Sequence, residues 1–95
     1  MITKEETRRA LDCAVKRGKI KGAHTHDVWA SDIMDEVTEL NISSPHKSQH
    51  IPQYAEYEEE LADIVITCMS MAAYYGIDLG KVIEAKMKYN ETRED

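Results

Sequence analysis

The sequence predicts an all-α protein: four main helices forming a bundle that packs across a subunit interface. Apolar residues recur at helical spacing in four segments, none of which shows the alternation of a strand. Helix start and stop signals fall between those segments, and both prolines lie in a single connector. No internal repeat is present, and 95 residues make one domain spanning 1–95.

The first helix starts at the capping box formed by Thr3 and Glu6. It keeps Ala10, Leu11, Ala14 and Val15 on one side and stops at Gly18. A Lys-rich connector, KRGKIKGAHTH, leads to Thr25 as N-cap of the second helix, which carries Val28, Trp29, Ile33, Val37 and Leu40. NISSPHKSQHIP is a loop, too short to be a linker between domains. The third helix runs from Tyr54 to Tyr75 and is apolar on both faces, with Leu61, Ile64, Val65 and Cys68 on one and Ile66, Met69 and Ala73 on the other. A helix apolar all round in so short a chain calls for a partner subunit as well as its own neighbours. Gly76 ends it. Asp78 caps the fourth helix, LGKVIEAKMKYNETRED, with Ile77 and Val82 as a hydrophobic staple and Leu79, Val82, Ile83 and Met87 facing inward.

Eighteen acidic against twelve basic residues give a formal charge of −6. That balance argues against sequence-independent nucleic-acid binding, which runs on Lys and Arg neutralising phosphates. The opening MITKEETRRA lacks an apolar h-region and no apolar run is long enough to span a bilayer, so a soluble, cytoplasmic protein without membrane contact is expected. Cys13 and Cys68 stand far apart in helical segments and read as free thiols.

The second helix raises a question of charge. Taking Trp29 as zero and turning roughly 100° per residue, Ile33, Val37 and Leu40 fall within about 80° of it, and so does Glu36. A carboxylate thus sits inside the apolar stripe, where an unpaired charge is costly. Glu39 follows at the stripe's edge. Glu60 and Asp63 repeat the three-residue spacing on the third helix, and Asp63 is the sole charged residue from Leu61 through Tyr75. Two acid pairs facing a shared interior make an all-oxygen pocket suited to Mg²⁺, with Mn²⁺ as a substitute. A di-iron site is disfavoured because no Glu-x-x-His occurs, and an EF-hand because its loop is lacking. Glu56, Glu58 and Glu59 read as solvent-exposed, and His24 and His26 as loop or cap residues without the further ligands zinc requires.

DEVTEL, then EEELADIVI, then YYGIDLGKVIEAKMKYNETRED together resemble the MazG-like members of the all-α nucleoside triphosphate pyrophosphohydrolase superfamily, from about Trp29 to Arg93. The family signature, E-x-x-E, a spacer and E-x-x-D, maps onto Glu36, Glu39, Glu60 and Asp63 as metal ligands. The resemblance implies Mg²⁺-dependent hydrolysis of a nucleoside or deoxynucleoside triphosphate to monophosphate and pyrophosphate by a homodimer or homotetramer. Bound cations would neutralise phosphate oxygens and lower the pKa of the attacking water, with Glu39 orienting or deprotonating it.

Lys86, Asn90 and Arg93 lie on one line of the fourth helix and match the family's closing K-x-x-x-N-x-x-R motif, which implies phosphate contact. Without the resemblance they read equally as an exposed helical edge. Trp29 is either a core residue or a platform for a nucleobase. His46, Lys47 and His50 face either phosphate or water. The rival readings are a phosphoribosyl-ATP pyrophosphohydrolase and a non-catalytic helical interaction module on the same scaffold.

Overall fold

A computed structural model of the chain describes residues 1–94. It contains four helices, α1 (Lys4–Lys16), α2 (His26–Ile42), α3 (Glu56–Tyr74) and α4 (Leu79–Thr92), and no strand among the described residues. Asp95, which closes the segment read as the fourth helix, lies outside them. No single described helix is long and apolar enough to cross a membrane.

The helix ends follow local chemistry. Thr3 Oγ1 accepts from the Glu6 N–H at 3.1 Å while the Thr3 N–H donates to Glu6 Oε1 at 2.9 Å, completing the capping box of α1. Both α1 and α3 close with the same C-terminal hydrogen-bond pair. The Lys19 N–H donates to Ala14 O and the Gly18 N–H to Val15 O, and Ile77 and Gly76 repeat this onto Ala72 and Ala73. Gly18 and Gly76 occupy the left-handed region that this motif needs, at φ 73° and 69°. Thr25 stands at the N-cap of α2 but makes no side-chain cap bond. The third helix starts at Glu56 rather than Tyr54, because the segment before it is held by the preceding loop instead of by helical bonds.

α3 is the central element, with α1 and α2 laid against it. Trp29 is 1 % exposed and is the largest fully buried side chain, and Ala10, Leu11 and Ala72 are the other buried apolar residues described. The connector between α1 and α2 is tied to the end of α3: the His24 N–H donates to Tyr74 Oη at 3.2 Å and the Tyr75 hydroxyl to His24 O at 3.3 Å. His24 is a loop residue, as its sequence context suggests, but a buried one. Its ring lies 4.4 Å from that of Trp29 and 6.3 Å from that of Tyr74, and its Nε2 is 2.7 Å from Asp32 Oδ2.

α4 turns away from α3 by 115° and touches the rest of the chain chiefly through α1. Val82 and Met87, expected to face inward, are about half exposed, as are Leu61, Val65 and Ile66 on α3. An apolar stripe marks a face that seeks cover, and within one chain nothing covers these. Where α4 does make contact the fit is close: a Cβ on Gly80 would run into the carbonyl oxygen of Ile2. Gly80→Ala should therefore lower thermal stability by roughly 1–3 kcal/mol through overpacking, despite the higher helix propensity of alanine. Thermal unfolding reads this as a fall of several degrees, and a rise would show that the first residues are not anchored on α4.

Candidate metal centre

Packing α2 against α3 brings acids from both helices together. Glu36 comes from the face of α2 that also carries Trp29, while Glu60 and Asp63 sit three residues apart on α3 and so occupy adjacent turns of one face. One carboxylate oxygen from each of Glu36, Glu60 and Asp63 lies within 4.8 Å of the other two, and all three residues are half-buried. The pair on α3 and the first acid on α2 thus meet as their patterning predicts.

The charges of this trio are only partly compensated. Burial raises the pKa of Glu36, and the charge of Asp63 raises it further, with Lys19 opposing. Burial is likewise the first cause at Asp63, followed by the charge of Glu59, against which Arg17 and His50 act. Glu60 is raised by burial and then by Asp63. Three carboxylates that resist ionising together, with no basic side chain hydrogen-bonded among them in the described residues, form the donor set a hard divalent cation prefers. Glu36, Glu60 and Asp63 would hold such a cation, which would neutralise their mutual repulsion.

Glu39 stands apart from the trio. It is exposed, one turn along α2 from Glu36, and close enough for its charge to raise both Glu36 and Glu60. Lys86 and Asn90 are exposed on α4, with Lys86 Nζ 4.5 Å from the centre of the Tyr89 ring. Arg93 is the C-cap of that helix, and none of these three lines the cavity beside the acids. Trp29 does form part of the cavity wall, yet its burial against His24 and Tyr74 leaves no open ring face on which a base could stack. That corrects its reading as a substrate platform. The indole is core.

The cavity itself, of about 240 Å³, lies between α1, α2 and α3 and opens beside Glu36 and Asp63. Ala10, Ala14 and Ile66 contribute apolar wall, and Arg17 and Lys19 bring positive charge from the turn that ends α1. Sequence reasoning missed these two cations. The signal was present in KRGKIKG, but only the Gly18 stop, which folds Lys19 back onto Ala14, aims that basic segment at the acids.

The loop before α3 is another correction. Glu56 and Glu59, read as solvated, are both engaged. The Ser44 N–H donates to Glu56 Oε1 at 3.2 Å, and Glu59 accepts from Ser48 Oγ and lies 2.8 Å from His50 Nδ1. Ser48 is 2 % exposed and its Oγ also accepts from the N–H groups of His50 and Ile51, both at 3.1 Å. The Ser48 and His50 hydrogen bonds hold the Glu59 carboxyl below the usual range. Its sequence signal is the four-residue spacing from Asp63, which sets Glu59 on the same side of α3 as the trio. Comparison of the chain with protein-family models, with curated proteins and with solved structures finds no match.

Proposed function

We propose that the protein is a Mg²⁺-dependent nucleoside triphosphate pyrophosphohydrolase of the MazG-like kind. The observation that carries this reading is the meeting of Glu36, Glu60 and Asp63 from two helices within 4.8 Å, each with a raised pKa and none neutralised by a bonded cation. These three residues would hold the cation, with Glu39 at the solvent edge as the fourth acid. A bound divalent cation would neutralise phosphate oxygens and acidify the attacking water.

The other cavity-lining groups offer two kinds of contact to such a substrate. Arg17 and Lys19 supply positive charge alongside Asp32 and Asp35, and the Ala10, Ala14 and Ile66 wall accepts an apolar or aromatic moiety. Lys86 and Asn90 do not line the cavity of their own chain, so phosphate contact by them requires α4 of a second copy. Self-association into a dimer or tetramer is in keeping with the exposed Leu61 and Val65 row on α3. That same row is what a helical interaction module without catalysis would present, and the two readings part on activity.

Incubation with a panel of ribo- and deoxyribonucleoside triphosphates and Mg²⁺, with products identified by ³¹P NMR, should yield monophosphate and pyrophosphate. Turnover confined to phosphoribosyl-ATP would select that branch. No turnover of any nucleotide with Mg²⁺ or Mn²⁺ would overturn the enzymatic reading.

A further inference from the structure

The cavity beside the acids is lined by a carboxylate that the metal centre does not use. Asp32 stands one turn before Glu36 on α2 and contributes to the same wall. Its Oδ2 lies 2.7 Å from Nε2 of His24, whose side chain is 6 % exposed, while the Asp32 side chain is 40 % exposed. A carboxylate only accepts, so the imidazole donates, and this bond sets the carboxylate's orientation. Oδ1 is left without a partner among the described residues.

The two hydroxyls of the wall are committed, Thr67 donating to Asp63 O at 2.9 Å and Ser70 to Ile66 O at 3.1 Å. The indole of Trp29 is not. It belongs to the same wall, a turn before Asp32, and its N–H is buried with no acceptor among the described residues. Buried polar groups in native structures are nearly always met, so an unmet donor close to an uncommitted acceptor marks a wall shaped for an occupant.

Size and chemistry narrow that occupant. Cavities that enclose a whole drug-sized ligand run to about 300–1,000 Å³, and this one, at about 240 Å³, takes one ring system with the rest of the ligand outside. Ala10 and Ala14, on successive turns of α1, present small apolar side chains against which a flat ring can lie. A heterocycle with an amino donor next to an acceptor ring nitrogen supplies what Asp32 and the indole N–H lack. Cytosine and adenine carry that pair. Uracil and hypoxanthine carry a carbonyl in place of the amine and a protonated nitrogen beside it, which sets acceptor against acceptor and donor against donor.

We propose that this cavity is a nucleobase subsite and that Asp32 is its specificity-determining residue, accepting at Oδ1 from the exocyclic amine of cytosine or adenine. Phosphates at the metal centre and the base at Asp32 are then held by adjacent turns of α2. The proposal rests on the pyrophosphohydrolase reading of Glu36, Glu60 and Asp63 and adds to it the class of base.

The test uses the full chain, Mg²⁺, inorganic pyrophosphate and the non-hydrolysable α,β-imido triphosphates of deoxycytidine, deoxyuridine, deoxyadenosine and deoxyinosine. Calorimetry on the wild type should show about 10-fold or more tighter binding of the amino member in at least one of the two amino–keto pairs, the scale of a charge-assisted hydrogen bond. Asp32→Asn, whose amide also donates, should erase or reverse that preference, and pyrophosphate with Mg²⁺ should bind the variant at least as well as the wild type. Trp29 is the only tryptophan, so its indole N–H gives a single ¹⁵N–¹H signal. In the wild type it should move when the preferred analogue binds and stay in place with pyrophosphate. Equal binding within both pairs, tighter binding of the keto member, a preference that survives Asp32→Asn, or an unmoved indole signal would overturn the proposal, and pyrophosphate binding would leave the metal-centre reading standing. The wild-type comparisons decide this without the variant, should Asp32→Asn fail to fold. No binding of pyrophosphate or of any analogue would overturn both.

Discussion

Asp63→Asn should abolish nucleotide hydrolysis while leaving the fold in place. Removing a ligand that supplies several kcal/mol of charge stabilisation to the transition state corresponds to a loss on the order of 10³-fold in kcat. The variant should be no less stable than the wild type in the absence of divalent cation. Asp63 has a pKa raised by burial and by Glu59, so its stabilising protonated form is lost as pH rises from the ordinary carboxylate value through the folded-state value. At neutral pH the ionised side chain is a liability that asparagine removes. Glu36 and Glu60 are raised in the same sense, so the cation-free wild type should lose stability from these groups as pH rises above about 4.5. A cation that binds the ionised trio reverses this. At ten times its dissociation constant, Mg²⁺ should stabilise by about 1.4 kcal/mol at pH 7.5, several degrees in thermal midpoint, and by much less near pH 5. Asp63→Asn should show little of this shift. A variant that stays active, or that unfolds, would remove Asp63 from the metal centre.

Trp29→Ala should cost about 3–5 kcal/mol, a large part of the 5–15 kcal/mol that holds a domain of this size together. The indole is 1 % exposed and contacts the rings of His24 and Tyr74 at 4.4 and 5.4 Å, so its removal opens the junction of α2, α3 and the connector at once. Urea unfolding should show either a sharply reduced midpoint or the loss of a cooperative transition. Trp29→Phe, which keeps a ring against His24, should cost far less. A stable Trp29→Ala variant with impaired nucleotide binding would instead return Trp29 to the role of a base platform.

Features decided by neighbours in the chain are legible in the sequence. The Thr3 and Glu6 capping box, the stops at Gly18 and Gly76 and the Asp78 cap all involve residues within a few positions of one another. Glu36 and Asp63 are legible for another reason: a charge inside an apolar stripe has to be answered across the interface, and helical period alone shows the conflict. Contacts between distant segments are not legible. His24 is buried because Tyr74, fifty residues on, receives its N–H, and nothing in AHTH announces that partner. Glu59 reads as one of a solvated acidic run, and only the folded loop brings Ser48 and His50 onto it. The apolar residues of α4 are readable as a face, but periodicity does not specify what covers that face, and within one chain Val82 and Met87 remain about half exposed.

The proposed chemistry turns on Glu36, Glu60 and Asp63 sharing one divalent cation. Titrating Mn²⁺ into isotopically labelled protein and following paramagnetic broadening in NMR tests this most directly. At sub-stoichiometric Mn²⁺ the signals of Glu36, Glu60, Asp63 and their immediate neighbours should vanish first, Mg²⁺ should restore them, and Asp63→Asn should prevent the effect. Broadening spread evenly over the acidic surface, or centred on Glu56, Glu58 and Glu91, would contradict a shared cation.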